Sequence, residues 1–190
     1  MRPARRIALL AAMAALLGGC AQLPLFGPAQ SGNPEAFEAL GRVYVRYGAR
    51  AFSGSLRWRH APHADEVWLG GPLGQTAAHI VRDSGGAMLT TADQQVYRST
   101  SIEALTREGL GWSLPLADLS YYVMGKLPEA ASAERDASGR LLRTQHNGWS
   151  VRWVPLEQDS APDKPGRVEL TRDEVEIRFV VDRLDRSAAP

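Results

Sequence analysis

The chain contains a single cysteine, Cys20, among its 190 residues. An internal disulfide is therefore excluded, and so are the cysteine clusters that hold structural zinc. An excess of charge of one sign is also lacking, because 22 basic and 21 acidic side chains nearly balance. Loss of the three arginines in the first 19 residues would leave a net charge of −2, so we expect no nucleic-acid partner.

Recognisable catalytic motifs are missing as well. The chain has no Gly-x-Ser-x-Gly, His-Glu-x-x-His, Cys-x-x-Cys or phosphate-binding loop sequence. His60 and His63 have a spacing that suits a metal ion, but they flank Pro62 in a predicted loop, and a chance surface pair is the simpler interpretation. We therefore expect no enzyme activity, no catalytic residue, no bound metal and no cofactor.

The longest apolar run, residues 7–17, is too short to span a bilayer as a helix. It follows Arg2, Arg5 and Arg6, and this order of a basic and a short apolar segment predicts a signal peptide over residues 1–19. The sequence Leu-Gly-Gly-Cys that ends at Cys20 resembles the bacterial lipobox, in which the cysteine receives a diacylglyceryl group and becomes the first residue. The alternative is an ordinary signal peptide followed by an accidental cysteine.

Alanine rather than aspartate follows the cysteine. In lipoproteins similar to the enterobacterial ones this favours the outer membrane, so we expect lipid anchoring at its periplasmic face. Residues 20–34 are predicted to be the lipidated cysteine and a flexible tether, because three prolines and two glycines interrupt regular structure there. One domain then occupies residues 35–190.

Short segments in which apolar and polar residues alternate dominate this domain. In residues 174–182, Val175, Ile177 and Phe179 face one side and charged residues face the other, as in a sheet with one wet face. Asn147-Gly148 between two such segments is a strong hairpin signal. The pattern predicts a mainly β (α+β) fold, an unclosed antiparallel β-barrel or half-barrel. The predicted strands are residues 42–46, 55–59, 66–69, 75–82, 87–91, 94–98, 141–145, 149–154, 167–171 and 174–182.

Two helices are predicted where residues 100–125 interrupt the strands. Thr100 and Glu103 have the spacing of a capping box, and Gly109 or Gly111 would end the first helix. The second would begin at Pro115. A further short helix is predicted at residues 34–40. The two adjacent helices are well placed to plug the open side of the sheet and enclose an apolar cavity.

Several stretches resemble the LolB family of outer-membrane lipoprotein receptors. They are the lipobox, the strand around Trp58, the turn Gly-Gly-Pro-Leu-Gly at 70–74, the segment Leu-Pro-Leu-Ala-Asp-Leu-Ser-Tyr-Tyr-Val-Met-Gly at 114–125, and the closing strand pair that begins at 168–171. The resemblance implies a barrel that takes lipoproteins from a soluble LolA-like periplasmic carrier and inserts their acyl chains into outer-membrane lipid. We expect such a receptor to be a monomer.

An acyl-chain receptor needs an apolar cavity, since each methylene removed from water contributes about 0.8 kcal/mol. For each inward residue the alternative is an ordinary packed core, and a completely filled interior would suit a structural or scaffolding envelope lipoprotein. A generic acyl-chain-binding lipoprotein is a further alternative. We expect a partly empty cavity lined by Leu56, Trp58, Val67, Leu69, Leu119, Tyr122, Trp149, Val151, Ile177 and Phe179.

Leu73 lies between Pro72 and Gly74 at the tip of a predicted turn, where polar residues are usual. The family resemblance implies that this turn is an exposed hydrophobic finger that enters the membrane. The alternative is a leucine that folds back onto the domain. Trp68, on the outward face just before the turn, would extend the same apolar patch.

The lipid anchor gives the first prediction. Cys20→Ser removes the thiol that accepts the diacylglyceryl group, so the protein should accumulate as an uncleaved precursor or an unlipidated soluble form. Mass spectrometry of the mature N-terminus measures this directly. An unmodified wild-type chain that begins at Ala21 would contradict the assignment.

Overall fold

The computed structural model describes residues 35–155 and 166–186, so the predicted signal peptide, Cys20 and residues 20–34 lie outside the described residues. Eleven strands and two helices make up the described part. The helices are α1 (Ile102–Leu110) and α2 (Leu116–Val123). The strands are β1 (Phe37–Tyr47), β2 (Arg50–Ala61), β3 (Ala64–Gly70), β4 (Thr76–Asp83), β5 (Gly86–Thr91), β6 (Val96–Ser99), β7 (Ala133–Arg135), β8 (Leu141–His146), β9 (Trp149–Val154), β10 (Arg167–Arg172) and β11 (Val175–Asp185).

All the strands belong to one antiparallel sheet, ordered β6-β5-β4-β3-β2-β1-β11-β10-β9-β8-β7. The first strand lies at the centre beside the last, and the chain steps outward from it to β6 at one edge. It then crosses to β7 at the opposite edge and steps back to β11. The two edge strands do not pair with each other in the described part of the chain. The predicted mainly β, unclosed antiparallel fold is confirmed, and the crossing segment carries both helices.

One face of the sheet is apolar and the other is charged. On β11, Ile177 and Phe179 point inward and are buried, whereas Glu176 and Arg178 point outward. Outward side chains pair across neighbouring strands, as in the contact of Arg42 with Asp182 at 2.9 Å. Such exposed pairs contribute about 0–1 kcal/mol each, so stability comes mainly from the inner face. The inner face must therefore be covered on its open side.

The alternating direction of the strands gives the sheet two distinct ends. We call the end that carries the turns at 48–49, 71–75, 92–95, 147–148 and 173–174 the upper end. The first residue of β1, Phe37, lies at the opposite, lower end. The chain therefore enters the domain at the end opposite to the turn that carries Leu73.

Three local predictions need correction, and one strand was missed. Residues 37–40 do not form a helix but begin β1, because Phe37 and Ala39 alternate inward with outward Glu38. Strand β7 was not predicted, since its three residues are too few to show a period. The strand predicted at 94–98 runs from Val96 to Ser99. The N-cap of α1 is Ser101 rather than Thr100.

A close approach between β2 and β3 gives a test of the fold. A Cβ atom on Gly54 would lie 1.8 Å from the carbonyl oxygen of Gly70, the last residue before the Leu73 turn. Gly54→Ala should therefore lower the free energy of unfolding by about 1–3 kcal/mol, as overpacking does. Chemical denaturation measures the loss, with exposed Ser53→Ala on the same strand as control. Equal stability of the two variants would show that the register is wrong.

Candidate functional site

The inner face of the sheet and the two helices enclose one apolar interior. Strands contribute most of it, and the helices with their connecting loop contribute the rest. The residues predicted to line a cavity all lie in this interior, and none is more than 5% exposed. They are Leu56, Trp58, Val67, Leu69, Leu119, Tyr122, Trp149, Val151, Ile177 and Phe179.

A narrow space lies at the centre of this interior. It brings together the predicted residues Leu56, Trp58, Val67, Leu69, Leu119 and Phe179. The other four predicted residues, Tyr122, Trp149, Val151 and Ile177, do not line it, although they belong to the same apolar interior.

Four further residues border the space: Val43, Trp112, Leu114 and Leu116. Val43 lies in a strand that alternation predicts, and Leu116 is the first residue of α2. Trp112 and Leu114 belong to the loop between the helices, where no periodicity assigns a side chain to the interior. The sequence contains no pattern that predicts the burial of Trp112 and Leu114.

The central space leaves no room for even a water molecule. The expectation of a partly empty cavity is therefore wrong for this conformation. The loop residues Trp112 and Leu114 border this space, and both are almost fully buried.

The helical segment has well-defined internal structure. The Ser101 hydroxyl accepts a hydrogen bond from the Ala104 N–H at 3.3 Å and begins α1. Gly111 ends α1 with a left-handed backbone (φ 83°). Thr106 accepts a hydrogen bond from the Leu114 N–H at 2.9 Å, which fixes the connecting loop against α1.

Few polar contacts tie this segment to the sheet. At the upper end, Glu103 of α1 lies 3.2 Å from Arg172, and the Asn147 amide donates to Asp118 of α2 at 2.8 Å. Deeper in the interior, the Trp153 indole donates to the carbonyl oxygen of Tyr122 at 3.0 Å. The remaining contacts are mostly apolar and are not directional.

The phenol of Tyr122 is enclosed in the same interior. Burial raises the pKa of Tyr122 well above its usual range, and the nearby Asp118 carboxylate adds to the rise. The side chain is therefore a neutral hydroxyl at physiological pH. It packs edge-to-face on Trp153, with ring centroids 5.7 Å apart.

A buried polar cluster lies at the lower end of β2, β3 and β4. The Asp65 carboxylate accepts hydrogen bonds from the Trp58 indole at 2.8 Å and from the Arg82 Nε at 2.6 Å. Nδ1 of His60 lies 2.6 Å from the same carboxylate. The cluster holds Trp58 in the wall of the central space and compensates the polar groups buried around it.

The prediction that His60 and His63 both lie in a surface loop is wrong for His60. His60 is a buried inward residue of β2, and His63 lies in the exposed turn that follows. They do not form a common site. Within residues 35–155 and 166–186, no group of three or more His, Cys, Asp or Glu side chains is arranged to hold a metal ion.

Leu73 is the most exposed large hydrophobic residue of the described chain, at 92%. The Gly71 N–H donates to the Gln75 carbonyl at 2.7 Å, and the Leu73 N–H donates to the Gln75 side chain at 3.1 Å. Gly74 has φ 81°, a left-handed conformation that glycine adopts at little cost. The turn thus holds the leucine outward, and the alternative in which it folds back onto the domain is excluded in this conformation.

The outer face beside this turn has an open groove of about 610 Å³. Arg42 and Arg178 line the groove, but each pairs with a carboxylate, Asp182 and Glu176 respectively. Trp68 lies farther along β3, half-buried and stacked on His79 with ring centroids 5.1 Å apart. Trp68 therefore extends the apolar patch less than its sequence position suggests.

Neither helix of the described residues has the length and apolarity to cross a bilayer.

Known proteins similar to this chain include two relatives in sequence and one solved structure. The outer-membrane lipoprotein LolB of Thiobacillus denitrificans is 37% identical over 185 residues, which cover 94% of this chain and 96% of the relative. That of Chromobacterium violaceum is 35% identical over 180 residues, which cover 93% and 97%. A LolA superfamily structure from Nitrosomonas europaea covers 84% of this chain and 90% of its own, with a TM-score of 0.44 and 7% identity.

The family model described as outer membrane lipoprotein LolB matches residues 35–183, which is nearly the whole domain. The match includes both helices, the Leu73 turn and every strand except the last residues of β11. The chain therefore belongs to the outer membrane lipoprotein LolB family.

Proposed function

We propose that this chain is anchored in the outer membrane by lipid on Cys20, accepts acylated lipoproteins from a LolA-like periplasmic carrier, and inserts their acyl chains into the membrane. Membership of the LolB family and the names of the relatives support a role in lipoprotein localisation at the outer membrane. Two features of the described domain support acceptance and insertion. They are the apolar interior covered by helices and the turn that exposes Leu73.

The observation that carries the proposal is an apolar interior covered on its open side by two short helices instead of by further strands. A strand lost from a sheet leaves a row of unpaired backbone groups, whereas a helix keeps its own hydrogen bonds when it moves. The helical segment is therefore the part of the wall that can be displaced most easily. An acyl chain of a dozen methylenes would contribute about 10 kcal/mol by leaving water.

Loading then consists of an exchange of apolar groups. The acyl chain takes the place of Trp112 and Leu114, and the helical segment moves outward as a unit. The ties that must break are the contacts of Glu103 with Arg172 and of Asp118 with Asn147, and the buried hydrogen bond from the Trp153 indole to the Tyr122 carbonyl. Each contributes on the order of 1 kcal/mol, so their loss together costs less than the burial of an acyl chain contributes.

Transfer of this kind requires no chemical step. No covalent bond forms or breaks when an acyl chain moves from one apolar site to another, so neither an active-site residue nor a cofactor is needed. We propose that the chain acts as a non-enzymatic monomer, and that its only covalent group is the lipid on Cys20. Cargo lipoproteins, their carrier and outer-membrane lipid are its partners.

A structural or scaffolding lipoprotein is the second candidate, and one observation favours it. The interior is filled by side chains in this conformation, as expected of a domain that exchanges nothing. A scaffold does not explain why Leu73 is held outward at the tip of a turn, at 92% exposure. We therefore prefer the receptor.

A transfer assay distinguishes the two functions. The full-length lipidated chain is reconstituted in liposomes, a carrier loaded with a labelled lipoprotein is added, and label in the lipid fraction is counted after flotation. A receptor transfers cargo at a rate above that of empty liposomes. A rate equal to that of empty liposomes would favour the scaffold.

Leu73→Glu gives a test of the insertion step. A leucine at a membrane interface contributes about 1.5–3 kcal/mol, and glutamate removes this contribution. The variant should keep its folding stability and its acceptance of cargo, but transfer into liposomes should fall by about ten-fold or more. The matched control is Leu142→Glu, because Leu142 is also partly exposed but lies on β8, away from the turn.

Two results would contradict this role of Leu73. Transfer at the wild-type rate by Leu73→Glu would show that the exposed turn takes no part in insertion. A markedly lower melting temperature of this variant would show that Leu73 stabilises the fold.

Loss of the helix-to-sheet ties gives a test of opening. The double variant Glu103→Ala/Asp118→Ala weakens the closed state by about 1–2 kcal/mol, so its affinity for a fluorescent acyl probe should rise about five- to thirty-fold. Binding is measured with the full-length chain in nanodiscs, after subtraction of probe taken up by empty nanodiscs. Glu134→Ala, which removes an exposed contact with Arg143 at 3.5 Å far from the helices, is the control. Unchanged affinity in the double variant would mean that these ties do not limit access.

A further inference from the structure

We propose that the hydroxyl of Tyr122 and the indole N–H of Trp149 bind the ester carbonyl oxygens of the acylated cargo. The receptor would thereby recognise the linkage of the lipid as well as its hydrocarbon. This inference rests on the proposed function, because it concerns the ligand that the apolar interior would take.

Two hydrogen-bond donors in the apolar interior have no partner among the described residues. The Tyr122 hydroxyl and the Trp149 Nε1 are both buried, and neither makes a hydrogen bond to any residue in the described ranges. Both side chains are at most 1% exposed. Unsatisfied buried polar groups are rare in folded proteins and require an explanation.

The other donors of the interior show how unusual these two are. The indole of Trp58 donates to Asp65, and that of Trp153 donates to the Tyr122 carbonyl. The buried hydroxyls of Thr106, Ser120 and Thr144 all donate to backbone carbonyl oxygens. The fold therefore satisfies its buried donors generally, and the exceptions at Tyr122 and Trp149 need a specific cause.

Two further buried nitrogens without a hydrogen-bond partner differ in kind. Nδ1 of His60 contacts Asp65, and its unpaired Nε2 belongs to the polar cluster at the lower end. Nε of Arg167 lies 2.8 Å from Glu169, so its charge is compensated. Neither lies in the part of the interior that α2 covers.

Tyr122 and Trp149 lie along the same path at the upper end. Trp149 is the first residue of β9 and directly follows the turn whose Asn147 holds the first turn of α2 through Asp118. Tyr122, one helical turn later, reaches back toward that end, as long helical side chains do. Its carbonyl is bonded to Trp153, farther down β9. The hydrogen bond from Trp153 to the Tyr122 carbonyl thus holds α2 against the inner face of β9, the strand that begins with Trp149.

This position suits the polar linkage of a lipid. An indole N–H can only donate, so Trp149 requires an acceptor. Hydrocarbon offers none, but a diacylglyceryl group has one ester carbonyl for each of its two chains. The lower ends of β2, β3 and β4 hold the buried Asp65 cluster. Acyl chains that enter from the upper end would bring their ester groups to rest near the two donors.

The energetic consequence is a preference for the loaded state. In the closed empty domain both donors have lost water and gained nothing, so the closed state is penalised. A ligand with ester carbonyls removes the penalty, and a ligand without them does not. Each hydrogen bond should favour an ester-linked lipid over its ether-linked analogue by about five-fold.

The experiment compares two lipopeptides that differ only in this linkage, a dipalmitoyl ester and a dihexadecyl ether on the same glyceryl cysteine. Their capture by the full-length chain in nanodiscs is measured after subtraction of empty nanodiscs. We expect the wild-type protein to prefer the ester by about five-fold or more. We also expect the infrared band of a ¹³C-labelled ester carbonyl to shift to lower frequency on binding.

Tyr122→Phe removes the hydroxyl with little change of shape. It should reduce the ester preference about five-fold while stability stays equal or rises, because an unpaired buried donor is lost. Trp149→Phe should also reduce the preference. Tyr121→Phe, one residue away on α2 and only half-buried, is the control and should keep the wild-type preference.

The outcomes separate this inference from the function on which it rests. Equal capture of ester and ether by the wild-type protein, without an infrared shift, overturns the carbonyl site but leaves the receptor intact. Capture of neither lipopeptide overturns both. An ester preference that survives in Tyr122→Phe and in Trp149→Phe would assign the recognition to other groups and overturn the proposal.

Discussion

The constraint on which the structure depends is that the sheet does not close. Eleven strands carry an apolar inner face, yet the edge strands β6 and β7 do not pair in the described part of the chain. That face must be covered by something that is not a strand. The chain supplies the cover at the only point where it passes from one edge to the other, in the segment that holds α1 and α2. Because the cover belongs to a crossing connection, it can be displaced without breaking the ladder of any strand pair. The same topology that leaves the barrel unclosed therefore provides its movable wall.

The free energies of these contacts indicate how the helical segment can be closed in the empty domain and still be displaced by an acyl chain. Two of the polar ties of the helices to the sheet are partly exposed and the third, from Trp153 to the Tyr122 carbonyl, is buried, and each contributes on the order of 1 kcal/mol. The larger cost of opening is the exposure of Trp112, Leu114 and the apolar faces of the helices, which are buried when the domain is empty. An acyl chain offsets this cost by covering the same inner face of the sheet. In the receptor that we propose, the filled interior is the empty state of an exchange site, and the protein's own side chains take the place of the ligand. Residues such as Trp58, held by Asp65, form the fixed part of the wall.

The sequence predicted the strands well where alternation was long enough to see. On β11, charged residues separate Val175, Ile177 and Phe179, and the predicted inward face is the observed one. Prediction failed where the local pattern was ambiguous. At the start of β1, Glu38, Ala39 and Leu40 have a high propensity for helix. They form a strand because they pair with β2 and β11, which the local sequence does not show. The exposed Leu73 was predictable from Pro72 and Gly74, because turn chemistry is local. The filling of the central space was not, since it depends on Trp112 and Leu114 in a loop without a period, and their burial is a property of the assembled fold.

The two ends of the domain impose a condition on the tether that we propose. Phe37 enters the sheet at the lower end, whereas Leu73 lies at the upper end. The ten steps of β1 between these ends span about 34 Å at the usual strand rise. If Leu73 is to meet the membrane that holds the lipid of Cys20, the intervening chain must run back along the height of the domain. Seventeen residue steps separate Cys20 from Phe37 in the sequence, and they reach at most about 55–60 Å when extended. The tether is therefore long enough to let the upper end face the membrane, with about 20 Å to spare. A tether much shorter than 34 Å would hold the lower end against the bilayer and point Leu73 and the entrance of the interior toward the periplasm. In the function that we propose, insertion therefore requires both a tether that spans the height of the domain and a Leu73 turn at the upper end, because neither brings Leu73 to the membrane without the other.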